Sequence, residues 1–343
     1  MILVTTHASS YNSSIFLQNK IDYHLRNIPH IIKIKMMNTP HKLKQWVNEH
    51  EIDAEGWKTM SSNPNAIKLL EENQDKICWH NLSLNPNAIS LLNENQDKIN
   101  WSNLSGNPSA VGVLERNADK INWKALSFNP NALKLLSENK SKIYWTGLSS
   151  NPNATEILEQ NMEKINWNCL SANPSAIPIL EKNKDKINWY ELSTNPNAFD
   201  LLRKHPDKID WFYICANTNP KCLELLEQNL VDEFIDWPSL CENPNATHIV
   251  QRFPDLIHWD YISENQNAID FIRENKEHIS SEWLYTNPAI FEIDYDKIKQ
   301  MKQHLTEEIM MKCFHPKRLV YFLKTYQYCI GNDEYVEDTF DML

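Results

Sequence analysis

The chain has 343 residues, with 34 lysines and arginines against 45 aspartates and glutamates, a net charge of −11. That balance excludes a general role in coating nucleic acid, because phosphate neutralisation needs a basic surface. Seven cysteines, an odd number with no Cys-x-x-Cys pair, exclude a disulfide framework and a zinc knuckle, and no stretch approaches the ~20 apolar residues of a membrane span. The expectation is a soluble, intracellular protein with no membrane attachment.

Residues 1–36 hold scattered apolar positions such as Ile15, Phe16 and Ile31 without a period, and read as an irregular N-terminal extension. Residues 37–56 place Leu43, Trp46 and Val47 at helical spacing and predict a capping helix between Pro40 and Glu49. From there a strict beat begins. Trp57, Trp79, Trp101, Trp123, Trp145, Trp167, Trp189 and Trp211 are each 22 residues apart, so residues 57–290 read as tandem repeats.

Within a repeat, Asn85-Pro86 has the residue types of a helix start, with asparagine as N-cap and proline in the first turn. Ala88, Ile89, Leu91 and Leu92 then give one apolar face. Asn95 recurs in the other repeats at the predicted helix end, where asparagine substitutes for glycine in a left-handed cap. Asn100 reads as a second N-cap, opening a short helix that carries Trp101 and Leu104 one turn apart. Pro178, four residues after Pro174, predicts a kink.

Such a pair of short helices cannot bury its apolar face alone, and stacking makes a continuous core. The fold expected is all-α, a right-handed α-solenoid of about ten two-helix repeats with N- and C-terminal caps. Neighbouring helices ~8–10 Å apart would make an open, elongated body ~80–100 Å long. A leucine-rich-repeat horseshoe fits poorly, since the apolar doublets show no period of two.

After Trp211 the beat stumbles, with 26 residues to Trp237, 22 to Trp259 and 24 to Trp283. The extra residues are placed before Asn219-Pro220 and within Val231–Phe234. Residues 291–343 change character. A helix near 296–305 and another over 316–328 are expected to close the stack, followed by an acidic tail.

The unit W-x-x-L-S-x-N-P-N-A-I-x-L-L-E-x-N-x-D-K-I resembles a short tryptophan-containing repeat of uncharacterised proteins of the large nucleocytoplasmic DNA viruses, the mimivirus-like giant viruses in particular. The resemblance runs from about Trp57 to Ala268, and the segment from Glu307 to Leu319 is similar to the closing segment of such proteins. It implies an intracellular viral repeat protein, in host cytoplasm, virus factory or particle. It carries over no catalytic residue.

No nucleophile elbow, zinc-binding His-Glu-x-x-His, phosphate loop or dinucleotide fingerprint is present, and the histidines do not cluster, so neither enzyme activity nor a cofactor or metal is expected. The tryptophan ladder reads as core rather than as a stacking platform for bases. The lysine ladder Lys76, Lys98, Lys120, Lys142, Lys164, Lys186 and Lys208, beside acids such as Asp97 and Asp119, reads as a solvated edge.

Information lies where the frame is fixed and residues vary. Leu84 and Phe128, five residues after their tryptophans, and Tyr190, Phe212 and Tyr213, one or two after theirs, form the candidate partner-binding set. The function expected is a non-enzymatic scaffold binding a protein or peptide; the alternative is a structural component of a virus particle or assembly intermediate.

Overall fold

A computed structural model of the chain describes residues 39–230, 234–279 and 281–303. These divide into two compact units, one formed by residues 41–292 and another that includes Pro40 and residues 293–303. In the latter, residues 295–303 are helical, where the sequence predicts a helix, and the Asp294 carboxylate accepts from the Lys297 N–H. The extension 1–36, the second C-terminal helix and the acidic tail lie outside the described residues.

Residues 41–292 form an all-α solenoid of short two-helix repeats. The third repeat shows the path: a Trp helix (Trp101–Gly106), a tight turn, a Leu helix (Val111–Glu115) and a single 3-10 turn (Ala118–Lys120) leading to the next tryptophan. Helices this short have almost no intrinsic stability in water, so packing holds them. The residue three after the repeat tryptophan, leucine in most repeats, as in Leu104, Leu126 and Leu148, and Met60, Ile214 or Ile262 in the others, is fully buried. It joins the Leu-helix doublets and the Ile99-type residues in one core running through every repeat.

The asparagine before proline is the joint between repeats. Asn107 Nδ2 donates to the carbonyls of Ser83 (3.1 Å) and Asn85 (3.0 Å) in the preceding repeat, while its Oδ1 accepts from the Ser109 N–H (2.9 Å). The residue is therefore an Asx turn with a cross-repeat clamp and not the helix N-cap the sequence suggested. The Leu helix begins four residues later, after Ala110, which makes no side-chain cap. A buried amide with three partners meets its whole desolvation cost.

A buried serine four residues after each tryptophan adds a second link. Ser105 Oγ donates to the Trp101 carbonyl (2.7 Å) and accepts from the Asn122 N–H of the next repeat (2.9 Å). Cys215 and Cys241 stand in this column in the divergent repeats: Cys215 Sγ donates to the Trp211 carbonyl, and Cys241 Sγ accepts from the His258 N–H. Burial pushes the Cys215 thiol up to about 11, so it stays protonated and serves as the hydroxyl does.

Eleven asparagines among the described residues occupy the clamp position: Asn63, Asn85, Asn107, Asn129, Asn151, Asn173, Asn195, Asn217, Asn243, Asn265 and Asn287. Asn63, the first, reaches the last repeat: its Nδ2 donates to the carbonyls of Tyr285 (2.9 Å) and Asn287 (3.1 Å). Those are the positions that the clamps from Asn85 to Asn265 address one repeat back, Asn287 reaching the Ser263 carbonyl. Asn65 Nδ2 repeats the pattern on the Pro288 carbonyl, as Asn87 does on Pro64. The array of residues 41–292 therefore closes on itself as a ring, not the open rod expected from stacking alone. A heterologous contact repeated at a constant angle closes when the angle divides a full turn, here about 33° per repeat.

The eleventh repeat is split between the two ends of this array. Its Trp-helix half is Ser281–Leu284 and the Asn287 turn, and in place of a Leu helix the chain runs into a strand, β2 (Phe291–Ile293). β2 pairs with β1 (His41–Leu43), and the Lys44 N–H bonds the Ile290 carbonyl at 2.8 Å. The segment predicted as a capping helix is thus a strand and a turn. It continues into a 3-10 turn (Glu49–Glu51) and buried Ile52, the same sequence of elements that ends the other repeats, as in Gln96–Lys98 and Ile99.

Asn95 is not left-handed, with φ −130° and ψ 53°; its Nδ2 instead donates to the Leu91 carbonyl at 3.0 Å, satisfying an orphan of the helix end. Asn100 caps as predicted, accepting from the Asn103 N–H at 2.9 Å. Pro178 does not kink its helix, because Ile177–Lys182 starts one residue before it and a first-turn proline forfeits no bond. Asn217, clamped to Ser193 (2.7 Å) and Asn195 (3.0 Å), leaves no insertion before Asn219-Pro220. Two of the four extra residues of that repeat lengthen its helix, Pro220–Gln228, and the other two fall between its cap Asn229 and Ile235. Counting back from Asn287 puts Ser281, not Trp283, in the tryptophan column.

Candidate functional site

Each Trp helix turns its tryptophan and the residues three and four later into the core. The residues one before, and one, two and five after, then share the outward side, since positions three and four apart lie on one helix face. Neighbouring repeats touch along this side. Asn122 Nδ2 donates to Ser102 Oγ (2.7 Å), Asn188 Nδ2 to Asn168 Oδ1 (3.0 Å), and Thr286 Oγ1 to Glu264 Oε1 (3.1 Å). The four columns make a continuous strip around the ring.

The tryptophans themselves do not lie on the strip. Trp57 and Trp237 are buried, and most of the others are half-buried against the core. Six of the ladder lysines close the exposed ring face: Lys76, Lys98, Lys120, Lys142, Lys164 and Lys186 hold Nζ 4.4–4.8 Å from the indole centroids of Trp57, Trp79, Trp101, Trp123, Trp145 and Trp167. The lysine edge is therefore a set of lids on the aromatic ladder, each contributing about 0.5–1 kcal/mol.

All five residues singled out in the sequence are exposed: Leu84 47%, Phe128 46%, Tyr190 60%, Phe212 51% and Tyr213 41%. They do not form one patch. Tyr190 and Tyr213 have ring centroids 6.1 Å apart and Tyr213 and Phe212 5.7 Å apart, so three of the five come together across repeats 7 and 8. Phe128 packs instead on Tyr144 of the next repeat (6.2 Å), in space that Gly147 leaves open. Leu84 stands apart from these rings.

Sequence reasoning missed a third group, in which Tyr261 stacks on Trp283 (centroids 6.3 Å, planes 21° apart) and His258 meets Tyr261 edge-on. Tyr261 stands two residues after its tryptophan, as Tyr213 does, so alignment by column finds it; Trp283, 24 residues after Trp259, is masked by its likeness to the repeating tryptophan.

Charge divides the strip. In repeats 7–11 its columns hold Glu191, Asp210, Asp236, Glu242, Asp260, Glu264 and Glu282 and neither lysine nor arginine; in repeats 1–6 they hold Lys58 and Lys124 and no acid. Among the described residues none of those seven acids forms an ion pair. Burial raises the Glu264 carboxyl above its ordinary value and Glu242, one repeat back, adds to the rise, while the bond from Thr286 opposes it. Across the seam, the Lys58 ammonium is held above its ordinary value first by its bond to Glu55 and, to a smaller extent, by Glu282.

A groove of about 630 Å³ opens between repeats 6 and 8, lined in part by Asn168, Asn188, Tyr190, Asp207, Lys208 and Asp210. Asp210 Oδ1 is engaged in capping the Phe212 and Tyr213 N–H groups (3.0 and 2.9 Å), which fixes the two rings relative to the groove wall. Among the described residues no group of three His, Cys, Asp or Glu side chains could hold a metal ion, and no helix is long and apolar enough to cross a membrane. Comparison with protein-family models, with characterised proteins and with solved structures gives no match.

Proposed function

We propose that the protein is a non-enzymatic scaffold that holds a protein or peptide partner along the outward strip of its Trp helices. One observation carries this reading: the frame positions repeat while the strip positions vary, and the variation includes large rings left in solvent, Tyr190, Phe212, Tyr213, Tyr261 and Trp283. Exposed aromatic groups on a rigid frame favour association because they bury large area at small conformational cost. Affinity capture with the full chain from cells that produce it, beside a Phe212→Ser/Tyr213→Ser variant, tests the reading. Loss of a specific protein from the variant is the expected result. Retention of every captured protein would place the interface elsewhere.

A further inference from the structure

We propose that the strip over repeats 7–11 receives a basic, extended segment of a partner protein, its arginine or lysine side chains seated between the exposed rings and the strip acids. This deepens the scaffold reading and rests on it.

The first support is charge. Seven acids with no lysine or arginine among them, on one side of consecutive helices, form a field that a cationic chain neutralises and that repels phosphate. The second is independent of charge counting and comes from what the chain does with its other rings. Six indoles carry a lysine of the chain itself, and on the strip of repeats 1–6 Tyr144 carries Lys124, with Nζ 5.2 Å from the ring centroid.

No such cation from the described residues covers Tyr190, Phe212, Tyr213, Tyr261 or Trp283. A ring face beside carboxylates is a site where a guanidinium gains from both, and the interaction strengthens as water leaves. A second copy of the chain fits poorly as the occupant. Lys58 already pairs with Glu55 and Lys124 already covers Tyr144, so the strip of repeats 1–6 offers no free cation to it.

The test uses the full chain and a fluorescent peptide of alternating arginine and serine, with a glutamate–serine peptide of equal length as control. Fluorescence anisotropy should show binding of the first and not the second, weakening as salt rises from ~50 to ~200 mM. Asp260→Asn/Glu282→Gln and Phe212→Ser/Tyr213→Ser should each weaken it roughly tenfold or more. Phe128→Ser, on the arc without acids, should leave it unchanged, with unfolding midpoints confirming that all variants are folded.

Equal affinity in wild type and both strip variants, equal loss in Phe128→Ser, or no binding of the arginine peptide would each overturn the proposal. If the arginine peptide fails while the Phe212→Ser/Tyr213→Ser variant still loses its captured protein, the basic occupant falls and the scaffold reading stands. If that variant retains every captured protein, the scaffold reading falls as well.

Discussion

The junctions inside the ring and the seam that closes it make the same joint by different means. Inside, a serine hydroxyl accepts from the N–H just before the next tryptophan, as Ser105 does from Asn122. At the seam that column holds Tyr285, buried, and the position it faces holds Gly56, whose N–H turns to Asp53 instead (2.8 Å). A Cβ on residue 56 would come within 2.5 Å of the Tyr285 ring. The two exceptions lie far apart in sequence and make sense only as a pair. What survives unchanged at the seam is the asparagine clamp, so the clamp carries the joint and the serine link is the replaceable part.

The largest expected effect probes the shared element. Asn129→Ala strands the carbonyls of Ser105 and Asn107 and the N–H of Asn131, at ~1–3 kcal/mol for each buried group, so a loss of about 3 kcal/mol or more is expected in urea denaturation. A cost under about 1 kcal/mol would move the joint to the leucine core.

Next comes the seam's own key. Gly56→Ala should cost ~1–3 kcal/mol by overpacking against Tyr285 and speed amide exchange over residues 41–52. Adding Tyr285→Ser, which restores the residue used elsewhere, should recover most of it. Failure of the second change to rescue the first would mean that the two residues do not read each other.

A smaller effect separates the two kinds of lysine. Lys142→Ala uncovers Trp123 and should cost about 0.5–1 kcal/mol, against nearly nothing for Lys208→Ala, which pairs only with Asp207 in solvent. Equal costs for the two would remove the lids from the account of stability.

The smallest effect has a pH signature. Because the Glu264 carboxyl is raised in the fold, its proton is bound more tightly there than in the unfolded chain. Its contribution is favourable below the ordinary carboxylate value of 4.5 and lost as pH rises through the folded value. Glu264→Gln should therefore raise the thermal midpoint slightly at pH ~7, and the gain should vanish at low pH. A gain that persists there would rule out ionisation as its source.

The helix pairs were legible because tryptophan, leucine and alanine columns fix a buried face by spacing alone. The closure was not, since a rotation of some tens of degrees per repeat leaves no mark in the period, and an open and a closed array share one pattern. Asn85 carries a local signal, cap before proline, that masks its cross-repeat donations. Thr218 in the proline column and Trp283 in the wrong column shifted the apparent register after Trp211. At the candidate site single aromatic substitutions stood out against the repeat. The acids did not, because 45 acidic residues spread through the chain show their concentration only when aligned by column and placed on one helix side.

The split repeat bears on how such a molecule can change over generations. Open arrays lengthen and shorten by copying or losing units, since each unit touches only its neighbours. Here a gain of one unit would ask every joint to move from about 33° to about 30°, and a loss to about 36°, with the two half-repeats still required to meet. Drift in unit number is therefore penalised at once around the whole circle, whereas drift in the outward columns is nearly free. Variation is channelled into what the ring displays.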